Sequence, residues 1–249
     1  YLPYGDQLWT VQNAEMVTYR DGTPIPQVTD NTEWENLTTG AWCYYDNDPT
    51  KGKLYNWYAV AGIHDNDPNT PNKELAPVGW HVPSDEEWTT LENYLIANGY
   101  NYDGTTNGNK IAKAMASTTE WNNSPNIGAV GNDQSLNNSS GFNAFPKGGL
   151  GNLGYSGSSE GYLAIFWCFD ENTDMVNAKN RTLSFQNNTL LTYSNPNWNG
   201  FSVRFVRDAT SLSTTDFSNS IIIYPNPVKN ILTIDGLVVQ DVVIYSVLG

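Results

Sequence analysis

The pattern of hydrophobic and polar positions predicts short strands separated by turns, near the start of the chain and again after residue 160. In these segments aromatic and β-branched residues alternate with polar ones, and clusters of Asp, Asn, Gly and Pro lie between them. Residues 54–60 are strongly aromatic and suit either a strand or a short helix. The predicted strands are residues 7–11, 40–45, 162–167, 182–185 and 201–207.

The clearest helix in the pattern begins after Ser84. The Ser84 hydroxyl is placed to accept from the Glu87 N–H while the Glu87 carboxylate reaches back to the Ser84 N–H, which is a capping box. The apolar residues Trp88, Leu91 and Leu95 then recur on one helical face. A second, shorter helix is predicted over residues 109–116.

Residues 117–160 are rich in Asn, Gly and Ser and have no hydrophobic period. A loop region of this length inside a compact domain is commonly functional. Short strands, two helices and one long loop region together predict an α+β fold.

Composition changes at a Ser/Thr-rich segment, residues 209–220, which has the character of a linker. Three short strands are predicted beyond it, at residues 221–224, 231–234 and 242–245. Three such strands are too few for an independent fold. We therefore expect a first domain at 1–208 and, at 221–249, the beginning of a second.

The chain carries 12 basic and 26 acidic residues, a net charge of -14. This charge repels phosphate backbones and anionic headgroups, so it argues against nucleic-acid and membrane-surface partners. No apolar run approaches the ~18 residues of a membrane span. Charged residues make up only 15% of the chain and aromatic residues 13%, which favours an extracellular binding protein over a cytosolic enzyme. Since Tyr1 opens directly in polar sequence, we expect that a leader was removed or lies outside this sequence.

Calcium is the one cofactor that the residues suggest. Asp65, Asp67 and Asn69 present oxygens at alternate positions, as calcium-binding loops do. The glycine and the final glutamate of an EF-hand are absent, and runs of Asp, Asn and Pro also form ordinary turns. Both interpretations stay open.

The two cysteines, Cys43 and Cys168, have no CxxC spacing and no recognisable zinc partners. Either they form one long-range disulfide or both are buried thiols, and their separation in sequence does not decide between these.

No residue set indicates catalysis. Asp85, Glu86 and Glu87 are explained by helix capping, and Asp170 with Glu171 follows a strand as turn residues do. No Gly-x-Ser-x-Gly motif is present. His81 lies between Trp80 and Val82 and is predicted to be a buried structural residue.

Several segments of residues 1–208 occur in the order found in one family. They are NTEWENLTTGAWCYYDN at 31–47, LYNWYAV at 54–60, PVGWHVPSDEEW at 77–88, GFNAFP at 141–146 and GFSVRFVRD at 200–208. With them the chain resembles the Fibrobacter succinogenes major paralogous domain, and more distantly the formylglycine-generating-enzyme and C-type-lectin superfamily. The resemblance implies a C-type-lectin-like fold with two helices, a small antiparallel sheet and a long loop region.

In lectin-like folds, ligand or calcium contacts often precede the final strand. The resemblance therefore points to Trp198, flanked by Asn197 and Asn199, because aromatic rings stack on sugars and Asn amides bind hydroxyls. Aromatic residues in or beside the long loop region are further candidates: Trp121, Tyr155 and Tyr162. The alternative for Trp198 is a core tryptophan next to a turn.

Residues 221–249 resemble the start of a type IX secretion C-terminal sorting domain, an Ig-like β-sandwich. The matching residues are Tyr224, Pro225, Asn226 and Pro227, followed by the strand at 231–234 and by 243–245. The resemblance implies export across the outer membrane of a Bacteroidetes-type bacterium, with the secretion machinery as partner.

The function expected from these features is a non-catalytic binding module for a glycan or a protein, secreted or displayed on the cell surface. The first alternative is a structural subunit of a surface layer, filament or adhesin. A polysaccharide-acting enzyme is the second.

Overall fold

The computed structural model describes residues 1–151, 159–170 and 176–209, with the backbone of residues 222–224 and 233–235. The chain divides into two compact units, Tyr1–Ala209 and Thr210–Gly249. In the described residues, no helix is both long and apolar enough to cross a membrane.

The described part of the first unit combines short helices with small antiparallel sheets, which confirms the α+β class. It has four α-helices where two were expected, and only one of them is longer than five residues. The helices are α1 (Asn31–Glu35), α2 (Trp57–Val60), α3 (Asp85–Ala97) and α4 (Ala112–Met115).

Nine strands of this unit form three three-stranded sheets, in the orders β1-β2-β9, β3-β4-β8 and β5-β6-β7. Strand β2 near the start pairs with β9 near the end, with Gln7 opposite Asp208, so the two ends of the unit lie together. The strands are β1 (Leu2–Tyr4), β2 (Gln7–Trp9), β3 (Trp42–Tyr44), β4 (Lys53–Asn56), β5 (Leu163–Trp167), β6 (Asn177–Ser184), β7 (Leu191–Pro196), β8 (Gly200–Phe201) and β9 (Val206–Asp208).

Helix α3 begins as its sequence predicts. Ser84 Oγ accepts from the Glu87 N–H at 3.1 Å, and Glu87 Oε2 accepts from the Ser84 N–H at 2.8 Å. Its inner face, Trp88, Leu91 and Leu95, is fully buried. The capping box is therefore confirmed. The helix predicted at 109–116 is shorter than expected, since only α4 is helical there.

The aromatic run at 54–60 divides into strand β4 and helix α2. The buried Asn56 side chain causes the change, because its Oδ1 accepts from the Ala59 N–H and from the Ala41 N–H, each at 3.0 Å. Asn56 thereby caps α2 while it fastens the helix to the segment before β3.

The predicted strand at 201–207 is wrong as a single element, since it divides into β8 and β9 in different sheets. Between them the buried Arg204 donates to Asn13 Oδ1 at 2.7 Å and to the carbonyls of Thr10 (2.8 Å), Phe142 (3.1 Å) and Asn143 (3.2 Å). Its guanidinium also lies 4.6 Å from the Phe142 ring centroid. Burial lowers the pKa of Arg204 to about 9. These bonds tie the segment between β8 and β9 to residues 10–13 and 142–143.

Three groups of buried residues form the core of the unit. One surrounds α3, and a second packs α2 against β5 and β8. The third includes Trp34, Cys43 and Leu54. Much of the long loop region belongs to the first group through Trp121, Val130 and Phe142, so these loops are packed against the core.

The described backbone of the second unit is a pair of antiparallel strands, β10 (Ile222–Tyr224) and β11 (Thr233–Asp235). Ile223 lies opposite Ile234. The strand predicted at 242–245 and the residues Pro225, Asn226 and Pro227 lie outside the described residues.

Candidate ligand-binding cleft

A cleft of about 1150 Å³ lies in the first unit, between helix α2, the loop that follows it and the N-terminal end of α3. Phe169 and Asp170, directly after β5, also line it. Small-molecule sites usually measure ~300–1,000 Å³, so this cleft has room for several sugar rings or a short peptide.

The inner part of the cleft is apolar and aromatic. Trp57 is 6% exposed, and its ring lies nearly parallel to that of the half-buried Phe169, with 6.5 Å between centroids and 21° between planes. Half-buried Tyr58 lines the same space, and burial raises the pKa of its hydroxyl. The Trp57 indole N–H has no hydrogen-bond partner in the described part of the chain. A buried donor without a partner costs ~1–3 kcal/mol, which favours a ligand group that accepts from it.

One glycine holds the loop beside the cleft. Gly62 has a φ of 76°, and a Cβ at this position would lie 1.8 Å from the Lys73 carbonyl oxygen. The Lys73 N–H donates to the Gly62 carbonyl at 3.0 Å. The two ends of the segment 63–72 therefore lie side by side, and the segment forms a loop that places Asp65 and Asp67 at the cleft.

The predicted calcium residues form a turn on the exposed rim. Asp65 Oδ1 accepts from the Asp67 N–H at 3.0 Å, and Asp67 Oδ1 accepts from the backbone and side-chain N–H groups of Asn69, each at 2.9 Å. The hydrogen bonds from Asn69 lower the pKa of Asp67. Within the described ranges, no three His, Cys, Asp or Glu side chains are grouped to hold a metal. The turn alternative accounts for the geometry, and calcium stays a prediction.

His81 is not the buried residue that its sequence position suggested, since its side chain is 46% exposed at the cleft. Its backbone bridges to Val206, and its side chain lies on the surface. His81 Nε2 lies 2.5 Å from Glu87 Oε1, and this hydrogen bond raises the pKa of His81. Burial opposes ionisation of Glu87, but the hydrogen bonds from His81 and from the Ser84 N–H outweigh it and lower the pKa of Glu87.

The charge that faces the cleft is mainly acidic. Among the described residues, one lysine (Lys73) lines it, and it pairs with Asp21 outside the lining. The lining carboxylates are Asp65, Asp67, Glu74, Glu87 and Asp170.

Most of these carboxylates already have partners. Glu74 lies 3.8 Å from Arg20, Glu87 binds His81, and Asp170 accepts from the Asp85 N–H at 3.3 Å. No described lysine or arginine lies within 4.0 Å of Asp65 or Asp67. The one basic side chain near them in the described residues is His64, whose Nε2 lies 3.4 Å from Asp65 Oδ2. The least neutralised negative charge is therefore at Asp65 and Asp67.

Of the aromatic residues predicted to bind ligand, the three that the structure describes do not line this cleft. Trp121 belongs to the core, where its indole N–H donates to Ser117 Oγ at 3.1 Å, because the loop region packs inward. Tyr162 is 40% exposed and packs edge-on against Phe185. Trp198 is partly buried, and its carbonyl accepts from the Trp34 indole N–H at 2.7 Å. Tyr155 lies outside the described residues.

Asn197 and Asn199 are buried, with 1% and 0% exposure, so neither side chain is open to a sugar in this conformation. Neither side-chain amide has a hydrogen-bond partner in the described residues. The backbone carbonyl of Asn197 accepts from the Trp57 N–H at 2.8 Å, so this segment supports the first residue of α2. For Asn197, Trp198 and Asn199, the interpretation as a core tryptophan next to a turn therefore fits the structure better than a ligand-binding site.

Both cysteines are buried free thiols in the structure, Cys43 in the third core group and Cys168 in the first. Burial raises the pKa of Cys43 to about 12 and also raises that of Cys168. The structure thus has the buried-thiol alternative.

Apart from Asp65 and Asp67, the residues that line the cleft were missed as a site because their sequence signals have structural explanations. The aromatic run at 54–60 was interpreted as a strand or a short helix, and Glu87 as part of the helix cap. The one signal in the sequence was the position of His81, six residues before the capping Glu87.

Comparison with known protein families identifies one match. Residues 2–207 match the Fibrobacter succinogenes major domain. The chain belongs to this family. The match spans nearly the whole first unit and includes every described residue of the cleft. Searches of curated proteins and of solved structures found no match.

Proposed function

We propose that residues 1–208 form a non-catalytic, C-type-lectin-like module that binds a glycan in the cleft beside helix α2. The observation that carries the proposal is the combination of half-buried aromatic rings with exposed Asp and Asn side chains in one cleft. Sugars have apolar C–H faces that pack on aromatic rings, and hydroxyls that hydrogen-bond to carboxylates and amides.

Binding is favoured over hydrolysis because the inner carboxylates of the cleft are engaged in structural bonds. Glu87 accepts from the Ser84 N–H and pairs with His81, and Asp170 accepts from the Asp85 N–H. A glycosidase needs two carboxyl groups free to act across one glycosidic bond.

Secretion or display on the cell surface is part of the proposal. Its support is the resemblance of residues 221–249 to a type IX sorting domain and the polar, acidic composition of the chain. Replacing Pro225, Asn226 and Pro227 by alanine in the full chain should leave the protein inside a bacterium that carries this machinery. Undiminished release of the altered chain would contradict the proposed signal.

A glycan array probed with the full chain tests the binding proposal. Tyr58→Ala and Phe169→Ala should each weaken binding of any retained glycan by about tenfold, because each removes a half-buried ring from the cleft. Tyr193→Ala is the matched control, since Tyr193 is 52% exposed on β7 and does not line the cleft.

The outcome of the array separates two locations. Loss of binding in Trp198→Ala with unchanged binding in Tyr58→Ala would move the site to the segment before β8. Retained binding in every variant would contradict both locations.

A structural subunit is the second candidate, and one observation favours it. Strand β7 is at an edge of its sheet, carries no charged residue and exposes Tyr193. Uncharged edge strands pair readily with other strands, here with a second copy of the chain. Sedimentation of the full chain without ligand tests this: concentration-dependent assembly that Thr192→Lys abolishes would support it, and a monomer at all concentrations would exclude it.

A further inference from the structure

We infer that the glycan recognised in the cleft carries protonated amino groups, as glucosamine-type saccharides do. This inference rests on the proposed function and specifies its ligand.

The inference starts from three features of the cleft, each of which calls for a different group on the ligand. Asp65 and Asp67 present negative charge that no described lysine or arginine neutralises. The Tyr58 and Phe169 rings offer faces that attract either C–H groups or a cation. The Trp57 side chain is 6% exposed, and its indole N–H has no acceptor among the residues that the structure describes.

A neutral sugar meets only two of these requirements. Its hydroxyl and ring oxygens accept from an N–H, and its C–H face packs on aromatic rings. An ammonium group adds the missing interaction, because a cation near two carboxylates and an aromatic face gains both Coulomb and cation–π energy. A protonated amino sugar therefore offers a partner for all three features.

The charge balance of the rest of the cleft supports this choice. Lys73 is held by Asp21, and the positive charge of His81 is matched by Glu87. Neither cation is left to offset Asp65 and Asp67. Among the described residues, the His64 ring is the one cationic group within 4.0 Å of either carboxylate, and it lies beside Asp65, so Asp67 keeps its charge even when His64 is protonated. The net charge of -14 on the chain adds a long-range attraction for a cationic saccharide.

The experiment compares three hexasaccharides with the same β-1,4 backbone, made of glucosamine, N-acetylglucosamine or glucose. Binding to the full chain is measured by calorimetry at a mildly acidic pH, where the free amines are protonated. We expect the glucosamine hexamer to bind at least about tenfold more tightly than either neutral hexamer, which corresponds to about 1.4 kcal/mol.

The variant Asp65→Asn/Asp67→Asn removes the two charges and keeps the side-chain oxygens that accept the turn hydrogen bonds. It should lose most of the preference for the glucosamine hexamer, measured as the ratio of its affinity to the affinities of the neutral hexamers in the same variant. The matched control is Glu35→Gln/Glu86→Gln, which makes the same change in net charge at exposed positions outside the cleft.

The results distinguish this inference from the proposed function. Equal affinity for charged and neutral hexamers overturns the inference and leaves glycan binding in place. Binding of none of the three overturns the inference, and the array then decides on the proposed function. An equal loss in the control variant assigns the effect to overall charge and overturns the inference as well. Tighter binding of hexalysine than of the glucosamine hexamer would replace the saccharide with a basic peptide.

Discussion

The loop region at residues 117–151 and the cleft beside α2 differ in how completely their polar and charged groups are paired. Oxygens of the loop region saturate one buried cation, Lys113 of α4, whose Nζ donates to the carbonyls of Asn132 and Asp133 and to Asn137 Oδ1. In the cleft, the Trp57 indole N–H has no partner among the described residues and Asp65 and Asp67 have no described lysine or arginine beside them. Saturated groups stabilise a fold, whereas unsatisfied groups at an open cleft favour a ligand.

The largest expected effect is that of Arg204→Met. It would leave four acceptors unpaired beside the core and should lower the free energy of unfolding by about 3–5 kcal/mol, measured by denaturant titration. Arg207→Met is the control, since Arg207 makes a cation–π contact with Trp80 at 4.7 Å and should cost about 1 kcal/mol. Equal losses in both variants would mean that the buried cation has no special structural role.

Lys113→Met tests the loop region itself. The substitution keeps the apolar stem but leaves three oxygens without their donor, so the expected loss is about 2–4 kcal/mol. Hydrogen exchange should quicken first at residues 132–138, which fold around the ammonium group. Lys110→Met, which removes a surface pair with Asp103, should change stability much less. Unaltered hydrogen exchange at 132–138 in Lys113→Met would contradict the claim that the buried ammonium group holds this part of the loop region in place.

The smallest effect concerns pH at the cleft. His81 has a raised pKa, so its stabilising contribution is complete below its unfolded value of 6.5 and is lost as pH rises through the folded value. Glu87 has a lowered pKa, so its contribution is present above 4.5 and is lost as pH falls through the folded value. The pair therefore stabilises the fold most between pH 4.5 and 6.5.

Unfolding measured across pH should show this window in the wild-type chain and a flatter profile in His81→Gln. The difference should be below about 1 kcal/mol, because the His81 side chain is half exposed. A His81→Gln profile with the same curvature would assign the pH dependence to other groups.

Local sequence was enough for several elements. The capping box at Ser84 and Glu87 and the apolar face of α3 depend on contacts within a few residues, and both are present. Four predicted strands overlap β2, β3, β5 and β6, because alternation of apolar and polar residues reflects a half-buried strand. The division of residues 54–60 was not predictable, since it depends on Asn56 binding the distant Ala41.

The predicted ligand residues show what local sequence could not determine. Trp121 was expected at an accessible surface because it lies in a long polar loop region, but that region folds inward around Lys113 and Trp121 is buried. Composition indicates that a segment lacks regular structure, and it does not indicate which side chains of that segment face the core.

The sequence by itself determined the α+β class, the start of α3 and the family of residues 2–207, because these follow from local pattern and from ordered motifs. Only the tertiary structure decided where a ligand could bind. The cleft joins residues as distant in sequence as Thr38 and Asp170, and the exposure of His81 and the burial of Asn199 depend on which segments pack against them. Packing between distant segments sets the exposure of each side chain, and that exposure separates a binding residue from a core residue.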